Sequence, residues 1–452
     1  MDRNRNSVLF LAACVLFGVL ASAPSRAWAV PSFARQTGLP CSRCHITFPE
    51  LTEFGREFKL NGYTLSGKDT KKIYEPGKKN QSGVWINSNL PISVMFQIAD
   101  TLMNKTAPGT QTGNVEFPQQ LSLFMAGEIA THLGTFMQAT YTTSSDHLSL
   151  DNTDIRYTNF ASFAGKQVVY GVDMNNNPTV EDLWNDTPAW GWPWASPDSA
   201  PTPMAAPLID GGLAQDVGGV GAYALWGHHW YGDVTLYRSM HLGGPQPPDG
   251  AGFGINIAGA APYWRGAYQT NWGNGQNYLE VGTFGMWVNS FPNAVAGAED
   301  HYTDNAADMQ YDRHFGADEL TTHFSFIDER SNLAAAFASN LAAQAQHSLK
   351  TLTANAIYHF GNRYSLGAGP FATWGTSDPI LYAAAPVSGS ANGSPDSNGY
   401  LLQAGFWPAQ NVELSLAYQG YLKFNGASTN YDGAGRNASQ NNTVYLNCWL
   451  MF

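Results

Sequence analysis

The sequence feature that most constrains the fold is an alternation of apolar and polar residues that begins near residue 83 and continues to the carboxyl end. Between residues 412 and 419, apolar Val412, Leu414, Leu416 and Tyr418 alternate with small or polar residues. Segments 352–360 and 444–452 alternate in the same way. Successive side chains of a β-strand point to opposite faces, so each segment has one apolar and one polar face.

Composition indicates which kind of β-protein this is. Of the 452 residues, 13% are charged and 13% are aromatic, and 46 are glycine. After the first 30 residues, no apolar run approaches the roughly 20 residues of a helical span. Low charge, many aromatic residues and alternating segments favour an outer-membrane β-barrel. The net charge of −12 argues against nucleic acid as a partner.

The number of strands follows from counting the alternating segments. Fourteen rougher segments join the three above, at residues 84–99, 119–131, 134–143, 154–163, 167–174, 219–229, 231–240, 254–260, 264–273, 278–289, 301–314, 319–328, 365–374 and 399–408. Single-chain bacterial barrels take even numbers of strands, so 17 candidates predict a 16-stranded antiparallel transmembrane barrel over residues 81–452. The alternative is a soluble β-sandwich or propeller, although no fixed repeat period supports a propeller.

The first 29 residues have the features of a secretory signal peptide. Arg3 and Arg5 precede an apolar run, and Ala27-Trp28-Ala29 is typical of a cleavage site. The mature chain is therefore expected to begin near Val30. A retained membrane anchor is the alternative, although the apolar run is at the short end for a spanning helix.

Two cysteines and a histidine, in Cys41-Ser42-Arg43-Cys44-His45, form the attachment motif of a c-type haem. Cys41 and Cys44 are expected to hold one covalent haem by thioether bonds, and His45 is expected to ligate its iron. A structural zinc site needs more ligands at similar spacing, and Cys448 is the one other cysteine after the signal peptide. A thioredoxin-like pair needs a βαβ setting, which the sequence lacks.

Residues 30–80 are predicted to form a small monohaem cytochrome domain with its linker. Leu51, Phe54 and Phe58 recur at helical spacing, and with Phe33 and Tyr63 they are expected to cover the haem. Residues 68–80, with five lysines, are interpreted as the linker. No methionine and no second histidine lies between residues 46 and 80. The candidates for the sixth ligand are therefore Met95, Met103, Met125, Met137 and His132, or an unusual group such as Lys59 or Tyr63. The remaining alternative is that the iron has no sixth ligand from the protein.

Two other regions have less specific patterns. The connection from residue 175 to about 218 is rich in tryptophan and proline, and it either folds into the pore or packs on itself. Residues 333–345 are rich in alanine and are expected to include a short helix. Five aspartates lie near one hairpin and are candidates for collecting Fe²⁺ through oxygen ligands, with a solvated acidic loop as the alternative: Asp300, Asp304, Asp308, Asp312 and Asp318.

The amino-terminal region resembles the fused outer-membrane cytochrome–porins of iron-oxidising bacteria. The resemblance lies in residues 31–38 (PSFARQTG), in the haem motif, and in residues 49–63 with Phe54-Gly55-Arg56 and Gly62-Tyr63. It implies a 16-stranded barrel whose lumen is plugged by the small helical cytochrome domain. It also implies electron transfer from extracellular Fe(II) to a periplasmic cytochrome or copper protein, and hence a possible Fe(II):cytochrome c oxidoreductase.

Two other functions fit the same sequence. One is a porin whose haem plug senses redox state or serves another extracellular donor. The other is a periplasmic cytochrome fused to a soluble β-domain. A monomer in contact with outer-membrane lipid is expected for the barrel.

Overall fold

The computed structural model of the chain describes residues 31–65, 70–73, 90–187, 191–240, 255–292 and 296–452. The predicted signal peptide and most of the predicted linker lie outside the described residues. The strands in the described part are β1 (Ile92–Met103), β2 (Asn114–Ala130), β3 (Leu133–Thr142), β4 (His147–Phe163), β5 (Lys166–Asn175), β6 (Val217–Trp226), β7 (Trp230–Ser239), β8 (Asn256–Ile257), β9 (Ala261–Trp272), β10 (Asn277–Phe291), β11 (Asp300–Phe315), β12 (Asp318–Asn332), β13 (Gln346–Phe360), β14 (Tyr364–Gly375), β15 (Ser397–Ala409), β16 (Val412–Lys423) and β17 (Thr443–Met451).

Sixteen of these strands form one closed antiparallel barrel. Each strand pairs with the next along the chain, except that β7 pairs with β9 and the two-residue β8 pairs with the end of β10. The ring closes where β1 pairs with β17 over Met95↔Met451 to Met103↔Thr443. The predicted 16-stranded antiparallel barrel is confirmed. Of the alternating segment at 254–260, only Asn256–Ile257 forms a strand, β8, and it is not one of the sixteen strands of the barrel. This segment is therefore the extra, seventeenth candidate.

The two faces of the barrel wall have opposite character. On β7, Val234 and Leu236 are 58% and 53% exposed on the outer face, whereas Asp233, Thr235 and Tyr237 on the alternate positions are buried inside. An apolar outer surface around a polar interior is the reverse of a soluble protein and is typical of a barrel surrounded by lipid. A soluble sandwich or propeller is therefore the wrong interpretation of the alternation.

The helices among the described residues are short. They are α1 (Ser32–Thr37), α2 (Glu53–Leu60) and α3 (Ala334–Ala338), together with 3₁₀ turns at Cys41–Arg43 before α2, at Pro178–Glu181 and at Ala438–Asn441. The predicted helix in the alanine-rich segment is confirmed by α3. None of the helices in these ranges is long and apolar enough to cross a membrane.

Residues 31–65 contact inward-facing groups on several sides of the barrel. The hydroxyl of Ser32 donates to the carbonyl of Ala126 on β2 at 2.7 Å. The hydroxyl of Tyr63 donates to Asp154 on β4 at 2.5 Å. The guanidinium carbon of Arg56 lies 4.4 Å from the centre of the Tyr278 ring on β10. The segment therefore crosses the lumen and is tied to opposite parts of the wall.

The connection between β5 and β6 also folds into the lumen. Trp184 is 1% exposed, and its indole nitrogen donates to the hydroxyl of Tyr278 at 2.6 Å. Trp192 donates to the amide oxygen of Gln403 on β15 at 2.7 Å. Of the two arrangements expected for this connection, the inward one is observed.

Candidate functional site

The cysteine–histidine motif is folded into a tight turn at the edge of an internal cavity. The backbone nitrogens of Cys44 and His45 both donate to the carbonyl of Cys41, at 3.1 and 3.0 Å. The turn brings both cysteines and His45 to the lining of a cavity of about 570 Å³. This volume lies within the usual range for cofactor pockets, roughly 300–1,000 Å³. The three residues predicted to bind a cofactor are therefore brought together at one site.

Helix α2 packs directly against this turn. Its N-cap residue, Thr52, accepts a hydrogen bond from the backbone nitrogen of Gly55 and donates its hydroxyl to the carbonyl of Arg43 at 2.8 Å. The backbone nitrogen of Thr52 donates to the carbonyl of Cys44 at 3.0 Å. A Cβ added at Gly55 would lie 3.0 Å from the carbonyl carbon of Cys44 and closer still to its oxygen. Gly55 therefore permits the close approach of the helix to the motif.

His45 is held in an orientation that suits a metal ligand. Its Nδ1 lies 3.2 Å from the carbonyl oxygen of Pro49, so Nδ1–H donates and the lone pair of Nε2 is left for another partner. Burial lowers the pKa of His45 to about 4, so its imidazole is neutral at physiological pH. A neutral imidazole oriented by a backbone carbonyl is a usual form of a metal-binding histidine.

Aromatic side chains form one wall of the cavity. The ring of Phe33 stacks on Tyr63 at 5.5 Å between centroids and meets Phe58 edge to face at 5.1 Å. These three residues and Leu51 line the cavity, as the sequence predicts. Phe54 does not line it, because its ring lies under the guanidinium of Arg43 at 4.3 Å. The expectation that Phe54 covers the cofactor is therefore not supported.

The candidates for a second axial ligand are separated by whether their side chains line the cavity. Met95 is 4% exposed and lines the cavity. Met103 is eight residues farther along β1, and Met125 is 47% exposed on the outer face with Met137 beside it in register. The ring of His132 packs near Phe160 at 5.8 Å, outside the cavity lining.

The two unusual ligand candidates have other partners. The ammonium of Lys59 donates to the carbonyl of Val180, and Tyr63 donates to Asp154.

Met451 was not among the candidates predicted from the sequence, but it lines the cavity beside its register partner Met95. A signal was present, because Trp449 and Met451 are apolar residues on the otherwise polar, inward register of the last strand.

The aspartates proposed to collect Fe²⁺ do not gather at a hairpin loop. Asp300, Asp304, Asp308 and Asp312 are each at most 4% exposed and face the lumen along β11. Two inward arginines balance part of this acidic interior. Arg265 pairs with Asp308, and Arg156 pairs with Asp154 and Glu181. A solvated acidic loop is therefore the wrong description of these four residues.

The fold and the site together define a membrane-spanning β-barrel of the porin type with an internal cavity lined by a cysteine–histidine motif. No family model matches the chain, and no curated protein matches it.

Solved structures similar to the chain are outer-membrane porins and channels. OmpF of Salmonella typhi, in a complex with daunomycin, is 11% identical and covers 80% of this chain and 97% of its own, with a TM-score of 0.46. The match to the channel DcaP of Acinetobacter baumannii has 10% identity and a TM-score of 0.45, and it covers 84% of this chain and 100% of DcaP. The match to an anion-selective porin from Comamonas acidovorans has 11% identity and a TM-score of 0.44, and it covers 80% of this chain and 98% of that porin. The barrel assignment rests on the strand pairing described above.

Proposed function

We propose that this protein is an outer-membrane electron-transfer protein, a barrel that holds one covalent haem c in its internal cavity. The observation that carries the proposal is that Cys41, Cys44 and His45 line a single cavity of about 570 Å³ inside a closed barrel. The cytochrome domain proposed for residues 30–80 would then plug the lumen, and its haem would lie within the barrel.

The residues of the cavity fit a haem. Two thiols one turn apart suit the two thioether bonds, and His45 keeps Nε2 available for iron. Phe33, Phe58 and Tyr63 provide an apolar wall for the porphyrin. The sulfur of Met95 accepts a hydrogen bond from the side-chain amide of Gln97 at 3.7 Å, lines the same cavity and would be a second protein group to hold the haem iron. When bound, haem supplies one-electron exchange between an extracellular donor such as Fe(II), which becomes Fe(III), and a periplasmic cytochrome or copper protein.

The protein's own contribution is to hold the redox group at a fixed place within the membrane and to limit its contact with water. The closed wall satisfies the backbone hydrogen bonds of the strands, so the chain can cross the hydrocarbon region. Residues 31–65 and the β5–β6 connection occupy the lumen and line the cavity, which limits the access of water. The barrel therefore provides a means of holding a redox group within a membrane that electrons do not otherwise cross.

The experiment that tests this function begins with haem content. The mature chain, expressed with cytochrome c maturation proteins and extracted in detergent, is expected to give a pyridine haemochrome spectrum and to fractionate with the outer membrane. Replacing both Cys41 and Cys44 by serine should abolish covalent haem, whereas the Cys448→Ser control should retain it, because Cys448 lies outside the cavity lining. A wild type without covalent haem would contradict the proposal.

Stopped-flow mixing with Fe(II) then tests the donor. Reduction of the wild-type haem at neutral pH is expected. No spectral change would remove Fe(II) as the donor. Slow reduction together with solute conductance in planar bilayers would favour the alternative, a porin with a haem plug that senses redox state or serves another donor.

Replacing Met95 by leucine is predicted to change the axial ligation. Leucine nearly preserves the volume of methionine but removes its sulfur. We expect loss of the weak red charge-transfer band of methionine-ligated ferric haem and a lower reduction potential, because thioether ligation raises the potential. Met451→Leu tests the neighbouring sulfur, and Met125→Leu on the outer face is the matched control. If Met95→Leu leaves both the band and the potential unchanged, Met95 is not a ligand.

A further inference from the structure

Three buried carboxylates meet inside the barrel, next to the cavity. Asp182 and Asp186 belong to the β5–β6 connection, and Asp308 lies on β11. One carboxylate oxygen from each lies within 4.8 Å of the others. All three side chains are at most 4% exposed. They come together because the connection folds into the lumen against the inner face of β11.

Asp186 is the carboxylate that most needs a partner. Neither of its oxygens has a hydrogen-bond partner among the described residues, and Oδ1 of Asp308 also has none. Asp182 differs, because the backbone nitrogens of Trp184, Asn185 and Thr187 donate to it at 2.8–3.1 Å. An ionised carboxylate that is buried without a partner is strongly unfavourable, so Asp186 requires a cation or a proton.

The nearest protein cation, Arg265, pairs with other members of the cluster and not with Asp186. The guanidinium of Arg265 pairs with Oδ2 of Asp308 and lies 3.7 Å from Asp182 and 3.6 Å from Glu280. Arg56 and Lys59 act on Glu280 and Asp182 from farther away, and none of the ion pairs among the described residues reaches Asp186. Both oxygens of Glu280 also have no hydrogen-bond partner within the described ranges.

A glycine leaves room beside these oxygens. Gly282 on β10 faces the lumen, and a Cβ there would lie 2.5 Å from Oε1 of Glu280 and still closer to Oδ1 of Asp308. Any side chain at this position would fill the space next to the unpaired oxygens. The glycine keeps that space open.

We propose that Asp182, Asp186 and Asp308 bind a divalent cation inside the barrel. The three named ligands are carboxylates, a donor set that suits hard cations such as Mg²⁺ and Mn²⁺ and also accepts Fe²⁺. Asp182 also lines the cavity that contains the cysteine–histidine motif. The cation therefore lies beside the candidate haem site, but its binding does not depend on the presence of haem.

Titration with Mn²⁺, followed by electron paramagnetic resonance of the free ion, tests the site in the full-length protein in detergent. The wild type is expected to bind Mn²⁺ saturably, and Asp186→Asn is expected to weaken its affinity at least about tenfold, or roughly 1.4 kcal/mol. The matched control is Glu413→Gln. Glu413 is 5% exposed on β16, has an unpaired Oε2 and lies outside the acidic groups, so this change should leave Mn²⁺ binding unaltered.

Two results would overturn the site. One is a wild-type protein that leaves all Mn²⁺ free, which would mean that shared protons neutralise the carboxylates. The other is an Asp186→Asn variant that binds Mn²⁺ as tightly as the wild type. If this variant does not give a folded barrel, thermal unfolding of the wild type decides the question. A saturable rise in unfolding temperature with Mn²⁺ supports the site, and no rise excludes it.

Discussion

Replacing Gly55 by alanine is expected to remove most of the haem c proposed above, from a protein whose barrel still forms. Helix propensity alone predicts the opposite, since alanine is favoured over glycine in a helix by roughly 1 kcal/mol. The contact between the added methyl group and the backbone of Cys44 outweighs this helix preference. The added methyl group would lie 3.0 and 3.2 Å from the carbonyl carbon and Cα of Cys44, and closer to its oxygen. These are backbone atoms, so no rotamer change relieves the overlap.

The expected consequence is a displacement of the turn that carries Cys41, Cys44 and His45. Relief of the overlap requires helix α2 and the Cys44 carbonyl to separate by about 1 Å, because packed interiors do not absorb such an overlap. That movement breaks the hydrogen bonds from Thr52 to Arg43 and Cys44. The two thiols and His45 then lose the spacing that the proposed haem attachment requires. Haem content per barrel, from the haemochrome spectrum and protein concentration, measures the effect.

The control for this prediction is Gly232→Ala. Gly232 lies on the outer face of β7, and a Cβ there meets no atom within 4 Å. The same chemical change should therefore leave haem content and barrel formation unaltered. A Gly55→Ala protein with wild-type haem content would show that the contact between α2 and Cys44 does not control attachment.

The barrel was predictable because one physical rule acts on every strand. Lipid outside and a filled polar lumen inside impose alternation, so the register of residues 412–419 was visible without any knowledge of their neighbours. The same rule separates the methionines. Met125 shares the outward apolar register, whereas Met95 and Met451 occupy the inward register, and the alternation alone distinguishes them.

Contacts between distant parts of the chain were not predictable in the same way. The requirement for glycine at position 55 depends on where the backbone of Cys44 lies, and no local pattern encodes that distance. The acidic group is similar, since Asp182 and Asp186 reach Asp308 only because the β5–β6 connection turns inward. The sequence left that direction open, because tryptophan and proline suit either arrangement.

Replacing Arg156 by methionine is expected to destabilise the interior of the barrel more than any other single substitution considered above. The fully buried guanidinium lies 2.7 Å from Asp154 and 2.9 Å from Glu181. Removing one partner from a buried ion pair typically costs about 3–5 kcal/mol, because the remaining charges stay buried without compensation. Total stabilities are roughly 5–15 kcal/mol, so this loss is a large fraction.

The effect should extend to the amino-terminal segment. Asp154 accepts hydrogen bonds from both Arg156 and the hydroxyl of Tyr63, and Tyr63 lines the candidate haem cavity. Loss of the guanidinium therefore loosens the attachment of residues 31–65 to the wall. We expect a lower unfolding temperature in detergent, followed by tryptophan fluorescence, and faster proteolysis of that segment.

A second substitution separates charge from packing. Arg156 also lies over the ring of Tyr223 at 4.9 Å, so methionine alone changes both. Adding Glu181→Gln to the Arg156→Met protein removes one uncompensated charge and should restore part of the lost stability. Arg330→Met, at a side chain that is 75% exposed, is the matched control and should change stability by at most about 0.5 kcal/mol. If the double variant is no more stable than Arg156→Met, packing on Tyr223 explains the loss, and the buried charges of Asp154 and Glu181 do not.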